Sequence, residues 1–409
     1  MNKKIIIASS GQPSANPRLV KEALALLDEG NLVTVIYCPL SPWADKFDEN
    51  LFRLHSKINW VCAGVHKKHF FLFFLARIRQ LFWRYVFFLF GNLWDAATKS
   101  NSLFSQELKK ECKKMDADIY IGHNIGALAA VVYAAKKYRA KVGFDFEDYH
   151  RGESIENSTH WRKIAIIENK FIPLLNFATA SSPLISEYYH KHYPYLEFVT
   201  ILNVFNDTPN HLPFISSFSD KIHLVWFSQF IGTGRGLENV IRAIGLTGNK
   251  NIILSLVGNY TEYQKGAFSK LAKENGLEIE QLVFNNPMNE SELINFLNNQ
   301  HIGIASEPGR DVNNDIALSN KIFMYLLSGN AVLFSSTLSQ TKFYNSHSEI
   351  GLLYEKENSL DLSEKLVAYL NDRNLLENHR NQSKSLGKNS LNWQIEKEKL
   401  FRLIQSLFN

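Results

Sequence analysis

Between Asn50 and Trp94 the chain has no Asp or Glu, while Arg53, Lys57, Lys67, Lys68, Arg77, Arg79 and Arg84 place seven positive charges there. The net charge of all 409 residues is only +5, so the rest of the chain is slightly acidic. No concentrated polar basic face of the kind nucleic acid requires is implied. Cysteine is scarce: Cys38, Cys62 and Cys112 are odd in number and far apart, which excludes a disulfide framework and suggests a reducing compartment. Long apolar runs are missing as well. The start, MNKKIIIASSG, has too short an apolar core for a signal peptide and reads as a first buried strand. Several catalytic signatures are absent: G-x-G-x-x-G, G-K-[ST], G-x-S-x-G and H-E-x-x-H do not occur. The histidine pairs of HKKH (66–69) and HKH (190–192) lack Cys or carboxylate partners at ligand spacing, and Asp145, Glu147 and Asp148 sit in what reads as a loop. No metal site is expected.

The acid-free stretch contains HFFLFFLARIRQLFWRYVFFLFGNLW, in which eleven aromatic rings crowd around Arg77, Arg79 and Arg84. Its longest charge-free run is ten residues, Tyr85 to Trp94, whereas a spanning helix needs about 20. The pattern fits a segment lying in a membrane interface, with rings at headgroup depth and basic side chains on anionic lipid. A buried helical hairpin with snorkelling arginines is the alternative. Arg77 and Arg84 share a helical face and Arg79 does not.

Elsewhere the composition, 45% hydrophobic with 21 Gly and 11 Pro, is that of a folded protein, and the length suits two or three domains. KKIIIAS, a helical pattern over NPRLVKEALALLDEG, LVTVIYC, DADIYIG, a helix near 127–138 and AKVGFDF alternate as in a parallel doubly wound sheet. The Pro- and Asn-rich passage NVFNDTPNHLPFISSFSDK reads as a linker, after which KIHLVWFS, NIILSLVG, LVFNN, HIGIAS and AVLFSS repeat the alternation. The expected organisation is an α/β N-terminal Rossmann-like domain, 1–203, carrying the aromatic and basic insertion at about 66–94. A linker at 204–221, a second Rossmann-like domain at 222–390 and a helix at 391–409, able to return to the first domain, complete it. Two such domains facing each other imply a cleft, with ligands at strand carboxyl ends.

The strongest local motif is WFSQFIGTGRGLENVIRAI, where a strand runs through Gly232, Gly234 and Gly236 directly into a helix. Glycine amides, the helix N-terminus and the Arg235 guanidinium together suit a diphosphate. In ALSNKIFMYLLSGNAVLFSS, Ser319 is a plausible N-cap, followed by Asn320 and by Lys321 in the first turn. A lysine there opposes the helix dipole and makes sense beside an anion. In the first half, GQPSANPR, GHN and DFEDYHRGE follow strands, which brings Asn16, Arg18, His123 and Asp148 to strand ends.

Taken together, these segments resemble the retaining glycosyltransferases of GT-B fold, group 1 or family 4, over nearly the whole chain. SGQPSANPRLVKEALALL is similar to the family's opening, ADIYIGHNIGALAAVV to the segment whose histidine reaches the transferred sugar, and KVGFDFEDYH to its "D-x-H-E" stretch. SQFIGTGRGLENVIRAI resembles the pyrophosphate loop, and ALSNKIFMYLLSGNAV the "P-N-K-L-F-E-Y-L-A-x-G-x-P-V" block. The resemblance implies sugar transfer from a nucleotide-diphosphate sugar to a glycan hydroxyl with retention and without metal or other cofactor. His123, Arg235 and Lys321 would be catalytic. Gly232, Gly234, Gly236, Gln229, Ser319 and Asn320 would bind the donor, and Asn16, Arg18 and Asp148 the acceptor. The family's two glutamates, eight residues apart, fall on Ile316 and Met324, so neither carboxylate is present. A lipid-linked acceptor, a cytoplasmic location on the inner membrane face and a role in bacterial surface polysaccharide synthesis complete the expectation. A catalytically silent scaffold of the same fold and a nucleotide-sugar epimerase are the alternatives.

Overall fold

The computed structural model describes residues 2–206 and 221–408, so most of the expected linker lies outside the described residues. The chain divides into two compact units. One comprises the residues up to Leu202 with Asp311–Asn313 and the chain from Lys397 onward; the other comprises Asn203–Arg310 and Asn314–Glu396.

The first unit holds seven parallel strands: β1 (Lys4–Ser9), β2 (Leu32–Tyr37), β3 (Asn59–Cys62), β4 (Ile119–His123), β5 (Lys141–Phe146), β6 (Phe177–Ala180) and β7 (Phe198–Thr200). Their order is β3-β2-β1-β4-β5-β6-β7. Ile5, Ile6, Ile7 and Ala8 are all buried, as in a strand covered by helices on both faces. The order reverses between β1 and β4, where doubly wound sheets open a crevice at the carboxyl ends. There the register aligns Ser9, His123, Asp145 and Thr179 in one row across β1, β4, β5 and β6. Asp145, expected in a loop, is therefore a strand residue.

The second unit holds β8 (Ile222–Phe230), β9 (Ile252–Asn259), β10 (Leu282–Asn285), β11 (Ile302–Ala305), β12 (Ala331–Ser335) and β13 (Gly351–Tyr354), parallel in the order β10-β9-β8-β11-β12-β13. Trp226, Leu254, Ile304 and Leu333 from its central strands pack with Ile241 and Tyr369 from the covering helices. Its switch point lies between β8 and β11. Two parallel doubly wound sheets make this an α/β fold, as the alternating pattern predicts.

The aromatic segment forms one helix, Phe70–Phe90, and not a hairpin. Phe73, Ala76, Gln80, Trp83 and Phe87, spaced by three and four residues, make the stripe that docks. Phe73 meets Phe104 edge-on at 5.9 Å, Gln80 Nε2 donates to the Ser100 carbonyl, and Lys99 Nζ sits 3.9 Å from the Trp83 ring centre. Arg79, the arginine off the shared face, is held on this inner side by Glu107 at 2.7 Å. Phe71, Phe74, Ile78, Leu81, Phe82, Tyr85, Phe88 and Leu89 remain exposed, with Phe88 at 71%. Arg77 and Arg84, seven residues and about two turns apart, flank this outer face. No helix among the described residues is long and apolar enough to cross a membrane.

Candidate active site

In the second unit, β8 ends in the glycine loop, and the helix Leu237–Thr247 starts immediately after it with Gly236 at its N-cap. Gly234 and Gly236 have φ of +70° and +80°, the left-handed region that favours glycine. A Cβ on Gly236 would also lie 2.9 Å from Ser306 Cβ, so this position is closed to larger residues. Gly232 has neither constraint. The Gly234 amide donates to the Glu238 carboxylate at 3.0 Å, so an internal anion already rests on the loop. Arg235 folds back, its Nη1 donating to the Phe230 carbonyl and its guanidinium 5.6 Å from the ring of buried Trp226. Gln229 is exposed next to Phe230, and its carbonyl accepts from Asn259.

Lys321 faces the same indole at 5.5 Å. It is buried in the first turn of the helix Asn320–Ser328, and its Nζ donates to Glu307 Oε1 at 2.7 Å. Ser319 occupies the N-cap position, yet its hydroxyl donates to Glu307 and does not cap the helix. Asn320 is exposed. Burial would raise the Glu307 carboxyl, but Lys321 and the hydrogen bonds from Lys321, Ser319 and Asn314 hold it below the usual range. Glu307 thus answers the lysine that seemed to need an external anion. Sequence reasoning passed over both Glu307 and Trp226. The positions of the missing glutamates, Ile316 and Met324, are buried apolar sites.

In the first unit the expected site residues divide differently. Arg18 forks onto both Asp145 oxygens at 2.7 Å and donates to the Ile201 carbonyl at 2.6 Å, fully enclosed. It is an internal clamp, not an exposed acceptor ligand. His123 is 1% exposed and bound through Nε2 to Glu22 Oε2 at 2.7 Å. Burial opposes its charge, but Glu22 and Asp145 outweigh it and raise its pKa, whereas Arg18 keeps Asp145 ionised against burial. The histidine expected to reach a sugar is therefore placed inside an ion-pair network, with Nδ1 left unpartnered 3.6 Å from Asp145.

Above that network a cavity of about 270 Å³ is lined by Ser10, Gly11, Gln12, Asn16, Asn124 and Glu147, among others. Asn16 caps the helix Pro17–Asp28 through its Oδ1, while its Nδ2, buried, has no partner. Asn124 follows β4 at φ +61° and ψ 137°, a strained setting for a residue with a side chain, and accepts a hydrogen bond from Ser9. The Glu147 carboxyl is pushed up to about 7, by burial first and by Asp148 next. Asp148 is itself raised, chiefly by burial. Among the described residues no cluster of His, Cys, Asp and Glu is arranged to hold a metal ion.

The sequence matches no protein-family model and no curated protein. Solved structures match throughout. Sucrose-phosphate synthase from Thermosynechococcus elongatus aligns with TM-score 0.72 at 12% identity, covering 100% of this chain and 99% of that one. A glycosyltransferase from Rickettsia africae aligns at 0.70 and 13%, covering 100% and 99%. HepE from Anabaena, solved with UDP, aligns at 0.69 and 12%, covering 99% and 100%. Such distant likeness shows the fold, which is that of the GT-B glycosyltransferases.

Proposed function

We propose that this chain is a glycosyltransferase that moves a sugar from a nucleotide-diphosphate donor to a glycan hydroxyl, with retention at the anomeric carbon and without a metal. The observation that carries the reading is the glycine loop of the second unit. Its left-handed glycines, the helix N-terminus and Arg235, with Lys321 on the same indole, would offer fixed donors to the negative charge that builds on a departing diphosphate and so stabilise the transition state. HepE, of the same fold, has been solved with UDP and with UDP-glucose, which supports a uridine nucleotide as the first donor to try. The acceptor is assigned to the first unit's polar cavity. The unpartnered Asn16 amide would hold a hydroxyl oxygen there, and Glu147, near neutrality, would accept its hydrogen. The exposed aromatic helix and its arginines support a lipid-linked acceptor and attachment to the inner membrane face, as in assembly of a bacterial surface polysaccharide.

A silent scaffold is favoured by one fact, the apolar residues at 316 and 324 in place of carboxylates. Nucleotide binding separates the two readings. A diphosphate at about 100 times its Kd adds roughly 2.7 kcal/mol of stability. A nucleotide panel should therefore raise the Tm of the wild type for UDP or a related diphosphate, and Arg235→Ala should abolish the rise. No rise with any nucleotide would favour the scaffold.

A further inference from the structure

Three amide side chains line the polar cavity of the first unit, and their hydrogen bonds set them apart. Gln12 is fully engaged: Nε2 donates to Asp45 Oδ1 at 3.0 Å and to Asp48 Oδ2 at 2.9 Å, while Oε1 accepts from the Ser41 amide at 2.6 Å. Asn16 is half engaged. Its Oδ1 accepts from the Leu19 amide, which can only donate, so the amino group is turned the other way, buried and without a partner. Asn124 reaches the same state by another route. Ser9 Oγ accepts from the Gly11 amide at 3.0 Å and donates to Asn124 Oδ1 at 2.8 Å, which pins the oxygen end. Asn124 Nδ2 donates to no described residue. An asparagine before a helix ordinarily caps it, yet this one makes no capping bond to the helix Ile125–Tyr138. Its backbone is held at φ +61°, a setting that suits glycine better than any residue with a side chain. Asn124 therefore carries a backbone cost without the usual return of a cap, and what it adds over glycine is an oriented amide at the cavity wall.

The chemistry of the wall says what it receives. Glu147 lines the same cavity, its carboxylate accepts no hydrogen bond from a described residue, and none of the described lining residues is a cation. Two amino groups that donate and one carboxylate that accepts fit hydroxyl groups and disfavour a phosphate or a carboxylate. The volume of about 270 Å³ falls just under the range of about 300–1,000 Å³ that holds drug-sized ligands, which leaves room for a single ring. Asn16 and Asn124 follow β1 and β4, neighbouring strands of the sheet about 4.8 Å apart, so one ring can meet both. We propose that Asn124 and Asn16 hold two hydroxyl oxygens of the acceptor's terminal ring, with Glu147 accepting a hydrogen from one of them, so that the site takes a diol in preference to a ring with one hydroxyl. The inference rests on the acceptor reading above and adds to it a second binding residue and a substrate class.

The full-length protein tests this with cyclohexanol and the 1,2- and 1,3-cyclohexanediols, rings of one size that differ in hydroxyl number and placement, titrated at pH 8 by ligand-observed NMR. The wild type should bind the better diol about fivefold more tightly than cyclohexanol, the worth of one added hydrogen bond. Asn124→Asp keeps the oxygen that Ser9 meets and removes both amide hydrogens, so it should bring that ratio close to one while cyclohexanol binds as before. Asn124→Gly should lose the preference as well and, by releasing the backbone, keep a Tm at least equal to that of the wild type. An unchanged ratio in Asn124→Asp, or a Tm several degrees lower in Asn124→Gly with the ratio retained, would make Asn124 a structural residue and overturn its part. A ratio near one in the wild type would overturn the diol and leave the single-hydroxyl acceptor reading standing. Failure of the wild type to bind any of the three rings would overturn the cavity as a hydroxyl site, and with it both readings, whereas the nucleotide panel judges the donor side independently.

Discussion

Two helices, one in each unit, carry a lysine near their start that is less than a tenth exposed: Lys321 is the second residue of Asn320–Ser328 and Lys163 the fifth of Thr159–Phe171. Lys321 therefore meets the helix dipole more directly than Lys163, which lies a turn further in. Their partners differ as well. Lys321 is held by Glu307 at 2.7 Å and by a nearby indole, so its charge is neutralised within the fold and stays fixed in direction. Lys163 makes no ion pair or hydrogen bond with a described residue, and burial first, with Arg84 adding to it, opposes its charge. The first arrangement fixes the direction of the cation within the fold; the second leaves a lysine whose charge its surroundings oppose.

Removing the partner of the paired lysine should convert it into the other kind, and at the largest cost. Glu307→Ala leaves an uncompensated buried ammonium, a change worth about 3–5 kcal/mol of stability. Urea denaturation at neutral pH measures it, and a loss under about 1 kcal/mol would mean that the ion pair is a solvated one. Glu307→Ala with Lys321→Met should recover much of the stability while leaving nucleotide binding weak, because the pair is needed for direction rather than for folding.

The unpaired lysine should show the opposite behaviour with pH. Burial first, and Arg84 second, push Lys163 down to about 8 from an ordinary value of 10.5. Between those two values the unfolded chain holds the proton and the folded chain has released it, so stability rises with pH across that window. Below it both states are protonated and the burial penalty is fully felt. The rise is of order 3 kcal/mol for a shift of this size. Lys163→Met should be more stable than wild type at pH 7 by a similar amount and should lack the rise, which denaturation curves at pH 7 and pH 10 would register.

The contrast also marks how far the residues could be read without the fold. The central strands were legible because β1, β4, β8 and β11 are short continuous apolar runs covered on both faces. The strands β3, β6, β7 and β13 were missed. β3, β7 and β13 lie at sheet edges, which lack the apolar run that burial on both faces imposes, and β6, though interior and buried, is only the four residues Phe177–Ala180 with two alanines and a threonine. In the site, the glycine loop, Arg235 and Lys321 are local patterns and could be found. Their counter-charges could not, since pairing is set by topology: His123 meets Glu22 across 101 positions of sequence, and Lys321 meets Glu307 across 14. The sequence put Arg18 and His123 at strand ends, but Arg18 lies in the first turn of the helix Pro17–Asp28, and the packing of that helix on β4 and β5 turns Arg18 onto Asp145 and His123 onto Glu22. The aromatic helix was legible as an anomaly, while the reason Arg79 departs from its face, the pairing with Glu107, was not.

A third helix start tests the same principle from the acidic side. In Leu237–Thr247 the first-turn residue is Glu238, favourable to the dipole, and its carboxylate occupies the Gly234 amide. A diphosphate arriving at the loop must displace that carboxylate and would sit near its charge. Glu238→Gln keeps the side-chain length and removes the charge. It should cost a few tenths of a kcal/mol of stability through the weaker dipole interaction and strengthen nucleoside-diphosphate binding by about threefold, the equivalent of some 0.6 kcal/mol. Calorimetric titration of the variant and wild type at two salt concentrations decides it. A gain that shrinks as salt rises identifies electrostatic competition for the loop. Weaker binding in the variant would mean instead that Glu238 orders the glycine loop for its ligand, and that the resident carboxylate is a scaffold rather than a stand-in for phosphate.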